Sequence, residues 1–187
     1  MTKLDQIQKA LKGIDQGKLQ KLGDLYFSRK LKNVKKIKSK GSVVGEEKTR
    51  KGTPDTLITL NNGKYIFIEY TAQQTGRLRK LSNDLKSCFD EKKTGIPLSK
   101  VEKIILACSS DLQDKDKIKL IKKGEAKKCV VDFLELTDFS FELHKEEFRY
   151  LAQEYLGVEL DTGQILSPID FITDYQKNKF ATPLGNK

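Results

Sequence analysis

Apolar positions open the chain at helical spacing: Leu4, Ile7 and Leu11, then Leu19, Leu22, Leu25 and Tyr26. Residues three or four apart form one stripe, which an amphipathic helix presents to a core. The spacing predicts helix over roughly residues 4–31, broken into two by Gly13 and Gly17. Val34 and Ile37 then predict a short strand in a basic segment, with a turn around Gly41 and Gly45.

Beyond residue 55 the period changes from helical to alternating. Thr56–Leu60 and Lys64–Thr71 read as two strands joined by Asn61-Asn62-Gly63, the strongest hairpin signal in the sequence. Helical spacing returns with Leu78, Leu81, Leu85, Cys88 and Phe89. A buried strand over Val101–Ala107, a helix around Lys115–Lys123 and a strand over Cys129–Leu134 follow. Phe148, Leu151 and Tyr155 mark a helix within Lys145–Leu156, and Ser167-Pro168 reads as the N-cap and first turn of a last short helix. The order helix, strand, hairpin, helix, strand, helix, strand predicts an α/β fold with a mixed sheet flanked by helices.

Length adds the domain count. At 187 residues and 37% hydrophobic content, the chain fits one domain over residues 1–160 with a short helix and linker over 161–187. No apolar run approaches the roughly 20 residues a membrane span needs. The N-terminus lacks the apolar stretch of a signal peptide, so the expected location is cytoplasmic. Cys88, Cys108 and Cys129 are widely spaced within apolar patterns, and are expected to be buried, reduced thiols. A short GIDQGKL stretch is no phosphate loop: its glycines are too close, and no Ser or Thr follows the lysine. His144, the only histidine, is expected at the surface or at a helix end.

Charge points to a polyanion. Ten of the Lys and Arg residues lie between Arg29 and Lys51 against only Glu46 and Glu47, a local net charge of +8 within a chain of +10. Such a run either grips phosphates, releasing their counterions, or forms a solvated basic face.

Two carboxylates stand out against this background. On Lys64–Thr71 the side chains of Tyr65, Phe67, Glu69 and Thr71 share one face. A two-residue Asn62-Gly63 turn would set Asp55 opposite Tyr70, with the carboxylates on opposite faces. A three-residue loop with Gly63 left-handed would set Asp55 opposite Glu69. In that register the two acids repel unless a cation lies between them. Mg²⁺ suits such oxygen donors, with Mn²⁺ as the alternative, and would polarise a phosphodiester. Otherwise the pair is an exposed acidic feature of a hairpin, or Glu69 pairs with one of the lysines.

Pro54-Asp55 followed after a hairpin by Glu69-Tyr70-Thr71 resembles the PD-(D/E)xK nuclease superfamily, with its restriction-endonuclease-like αβββαβ core. The longer stretches GTPDT, NGKYIFIEYTAQ, KLSNDLKSCFDEKKTGI and KIILACSS are similar to N-terminal effector domains of bacterial antiviral STAND ATPases. The resemblance implies a metal-dependent DNA endonuclease acting in antiphage defence, with Asp55 and Glu69 as metal ligands. It implies a third ligand from the first helical region, Asp24 or, alternatively, Gln20. The motif lysine is replaced by Thr71, whose hydroxyl cannot carry its charge. Lys80 or Lys51 would replace it, or Gln73 would orient the water; otherwise the domain binds nucleic acid, or assembles, without cutting. Lys48, Arg50, Lys51, Arg77 and Arg79 are the candidate contacts to double-stranded DNA. The resemblance further implies a homo-oligomer driven by an ATPase and sensor part that would follow the FATPLGNK tail.

Overall fold

The computed structural model describes residues 1–40 and 52–159. The expected turn at Gly41 and Gly45, the candidates Lys48, Arg50 and Lys51, and the segment 161–187 lie outside the described residues.

Helices α1 (Lys3–Lys12) and α2 (Gln16–Lys30) lead into strands β1 (Val34–Ser39), β2 (Thr56–Leu60) and β3 (Tyr65–Thr71). Then come α3 (Arg77–Cys88), the single turn α4 (Glu91–Thr94), β4 (Val101–Cys108), α5 (Asp114–Glu125), β5 (Val130–Leu134), α6 (Leu136–His144) and α7 (Arg149–Leu156). Among the described residues no helix is long and apolar enough to cross a membrane.

The five strands form one mixed sheet in the order β1-β2-β3-β4-β5. β2 is antiparallel to both its neighbours, whereas β3, β4 and β5 are parallel. Parallel neighbours need crossovers, and α3 and α5 supply them. Both crossovers step the same way across the sheet, so both helices pack on one face, around Phe67, Leu81, Leu85, Ile104, Leu106 and Leu120. Ile58, Ile68 and Tyr70 on the other face meet α1, α2, α6 and α7. β3 and β4 are therefore covered on both sides, which explains their nearly unbroken apolar runs. The edge strand β1 keeps Lys35, Lys36 and Lys38 exposed, which discourages further strand pairing.

The helix break differs from expectation in one respect. It falls at Gly13–Asp15, and Gly17 lies inside the first turn of α2. Asp15 caps that turn by accepting from the Lys18 amide at 2.8 Å, which outweighs the low helix propensity of a first-turn glycine. All three cysteines are buried and free.

Gly23 lets α2 approach the sheet. A Cβ there would lie 2.2 Å from Cε1 of Tyr70, a fully buried ring. Gly23→Ala is expected to destabilise the domain by about 1–3 kcal/mol through overpacking, and chemical denaturation checks it.

Candidate active site

The hairpin adopts the three-residue loop. The Leu60 amide donates to the Lys64 carbonyl at 2.9 Å, the Gly63 amide returns to Leu60 at 3.0 Å, and Gly63 has φ +79°. Thr56 pairs with Ile68 and Leu57 with Phe67, so the next step of the same register sets Asp55 opposite Glu69. Both side chains lie on the face covered by α3.

β3 outruns β2, and the backbone beyond the overlap must find other partners. Asp55 Oδ2 accepts from the Tyr70 amide at 2.9 Å. The Tyr70 carbonyl accepts from Gln16 Nε2 at 2.8 Å and from Lys80 Nζ at 3.1 Å. Gln16 Oε1 also accepts from the Ala72 amide at 3.0 Å. The strand end is thus finished by side chains from α2, α3 and the start of β2. Asp55 itself is fixed at both ends, because its carbonyl accepts from the Lys40 amide at 2.8 Å and from Gln20 Nε2 at 3.0 Å.

Glu69 is only 4% exposed, and its Oε1 accepts from the Cys88 thiol at 3.2 Å. Burial, then the charges of Asp55 and Asp84, push its carboxyl up to about 9, against the opposing pull of Cys88 and Lys80. Burial likewise raises Asp55, while its bond from the Tyr70 amide and the Lys80 charge oppose the shift. Lys80 spans the mouth of the site, paired with Asp84 at 2.7 Å one helical turn away. Among the described residues Lys80 is the cation that acts on both Asp55 and Glu69, and Glu69 holds a proton near neutrality.

Asp55 and Glu69 are the described side chains that could hold a hard divalent cation. Two adjacent carboxylates short of positive charge are what Mg²⁺ takes from a protein when water and substrate phosphate complete its shell. Among the described residues no group of three or more Asp, Glu, His or Cys side chains could hold a metal ion, so a cation would rest on these two carboxylates.

The other expected residues divide clearly. Asp24 is not beside the pair: it lies on the opposite face of the sheet, where its Oδ1 accepts from the Thr56 hydroxyl and from the Tyr70 hydroxyl at 2.8 Å. Side chains alternate along a strand, so residues adjacent to Asp55 and Glu69 necessarily face the other way. Asp24 thus ties β2 to β3 one residue from each carboxylate. Gln20, the alternative, reaches the Asp55 backbone rather than its carboxylate. Thr71 is fully buried, and its Oγ1 accepts from the Gln73 amide at 3.3 Å. Gln73 lies with Arg79, Lys80, Asn83 and Asp84 along a depression at the mouth of the site. Arg77 hydrogen-bonds Ser110 at the end of β4.

Three residues of the site escaped the sequence reading. Gln16 carried no recognisable signal. Asp84 did, since it stands four residues after Lys80 on a helix following Glu69. Lys40, read only as part of the basic run, also bonds the Thr53 carbonyl through Nζ at 3.2 Å.

No family model, no curated protein and no solved structure matches the chain.

Proposed function

We propose that this chain is a divalent-metal-dependent endonuclease domain that hydrolyses phosphodiesters of duplex DNA. The observation that carries the reading is the register placing Asp55 opposite Glu69 at the open end of the hairpin, with Lys80 brought to the same spot from α3. The run α2-β1-β2-β3-α3-β4 follows the αβββαβ order of a restriction-endonuclease-like core, which supports the same reading.

Asp55 and Glu69 would hold the cation. When bound, it would polarise the scissile phosphate and ease deprotonation of the attacking water. Asp55 needs no reorganisation to serve, because its backbone and carboxylate are already fixed. Glu69 would release its proton to solvent in holding a cation, whose charge would offset the repulsion among the three acids. Lys80, charged and held at the Tyr70 carbonyl, faces the charge that builds on the phosphate and so takes over from the missing motif lysine. Gln73, exposed at the mouth, is placed to orient water. By the same resemblance the domain is the effector of a larger antiphage sensor, and paired copies would cut both strands.

The test is plasmid cleavage by the chain at high concentration with Mg²⁺, with Mn²⁺ and with EDTA. Relaxed and linear products are expected only with metal. DNA that is bound but never cut with either metal would instead favour a binding module, which the burial of Thr71 at the motif position would then explain.

A further inference from the structure

A groove between α3 and α5 is lined by Leu78, Arg79, Ser82, Lys119, Lys122 and Lys123. Four of these six are cationic and none is acidic. All four cations are exposed. Lys119 pairs with Asp116 at 3.2 Å and Lys123 bonds the Ser82 hydroxyl, whereas no ion pair engages Arg79 or Lys122 among the described residues. Arg79 also lines the depression that holds Lys80 and Asp84, so the two hollows adjoin at this residue.

Helix stability does not account for this arrangement. The last turn of α5 is a favourable place for Lys122 and Lys123, where cations offset the helix dipole. On α3 the situation is reversed. Arg77, Arg79 and Lys80 crowd its first turn, which contains no acid, so three cations face the positive end of the helix. Lysines from α5 are then added across the groove rather than acids that would neutralise them. Lys80 is paired with Asp84 and Arg77 bonds Ser110, so Arg79 is the first-turn cation left to the groove, where three lysines join it and no acid does. A row of cations adjoining the proposed phosphodiester-cleaving site suits a chain of anions.

We propose that this groove is a track for the phosphate backbone of duplex DNA, leading from Lys80 over Arg79 to Lys119, Lys122 and Lys123. The identity of the polyanion rests on the nuclease reading above. Each lysine that neutralises a phosphate releases counterions, so its removal should lower both affinity and the steepness of the salt dependence.

The test measures binding of a fluorescein-labelled 24-base-pair duplex of arbitrary sequence in EDTA, by anisotropy, at several salt concentrations. Lys119, Lys122 and Lys123 are changed together to Gln, and a control protein carries Lys9, Lys12 and Lys18→Gln on α1 and α2. The groove variant is expected to bind at least about 10-fold more weakly near 100 mM salt, with its log–log salt slope reduced by about 2–3. The control, with the same loss of charge, should stay within about threefold of wild type. Equal losses in the two variants would reduce the effect to overall charge and overturn the proposal. So would no binding by wild type at low salt, or binding confined to an RNA duplex of the same length. Asp55→Ala separates this from the nuclease reading. Groove-dependent binding without cleavage by wild type would retain the track and discard the enzyme. Metal-dependent cleavage lost in Asp55→Ala but untouched by the groove changes would do the reverse.

Discussion

Asp55→Ala and Glu69→Gln are each expected to lower metal-dependent cleavage at least about 10³-fold, yet to shift the stability of the metal-free protein in opposite directions. The shared loss follows from removing one of two carboxylates that would hold the cation, a matter of several kcal/mol in the transition state. The divergence follows from what each carboxylate does without metal. Asp55 satisfies the Tyr70 amide. Its removal leaves that donor without its partner and should cost about 1–3 kcal/mol. The measurement belongs at pH 6, where Glu69 is protonated and relief of repulsion does not obscure the loss. Glu69 behaves otherwise, because its carboxyl titrates at about 9 in the fold against an ordinary value of 4.5. Between those values the folded protein holds a proton that the unfolded chain has released. Its stabilising contribution is complete below the lower value and is lost as pH rises through the upper one, by up to about 1.4 kcal/mol per pH unit. Gln has no such proton, so Glu69→Gln should gain on wild type from pH 6 to pH 9 in urea titrations with EDTA. Parallel pH profiles for the two proteins would sink this account of Glu69. Added Mg²⁺ at pH 8 should stabilise wild type and not the variant, a readout independent of cutting.

The same two carboxylates show how far the sequence carries. Asn61-Asn62-Gly63 predicted a tight hairpin, but two registers were open, and only one puts Asp55 opposite Glu69. The choice is made by Gly63 at φ +79° and by the Leu60–Lys64 pairing, which depend on loop geometry and not on composition. Strands β3 and β4 were legible because burial on both faces writes a nearly unbroken apolar run. Helix α6 was missed although Leu136, Phe139 and Leu143 carry the right spacing, since nine residues with two phenylalanines read weakly as helix. Asp24 shows a different limit. An acid in the second helix is easy to notice in the sequence, but helical phase and the strand's alternation decide which face of the sheet it meets. Its carboxylate went to Thr56 and Tyr70. Gln16 and Lys40 could not have been found at all, because Gln16 serves backbone left open where β3 outruns β2 and Lys40 bonds the Thr53 and Asp55 carbonyls just before β2.

Lys80→Met is expected to lower the cleavage rate by about 10²–10³ with little change in substrate concentration dependence. The nuclease motif that Asp55 and Glu69 resemble has a lysine two residues after the Glu, but Thr71 there is fully buried and neutral. Lys80 reaches the Tyr70 carbonyl from α3, so an ammonium arrives between Glu69 and position 71 by another route. Methionine keeps the length of the side chain and removes its charge. Lys80 is part-buried, pairs with Asp84 and bonds the Tyr70 carbonyl, so its loss should also cost about 1–3 kcal/mol of stability, and the rates are compared at a temperature where both proteins are folded. A purely structural role would therefore leave the rate intact. Lys80 also draws the Glu69 carboxyl downward, so its removal should shift the acidic limb of the pH–rate profile to higher pH. A variant that cuts like wild type with an unmoved pH profile would return the task to Gln73 and water. Loss of rate with a displaced profile would mean that Lys80 supplies from the covering helix the charge that the resembling motif carries on its strand, with Asp84 paired to it one turn away.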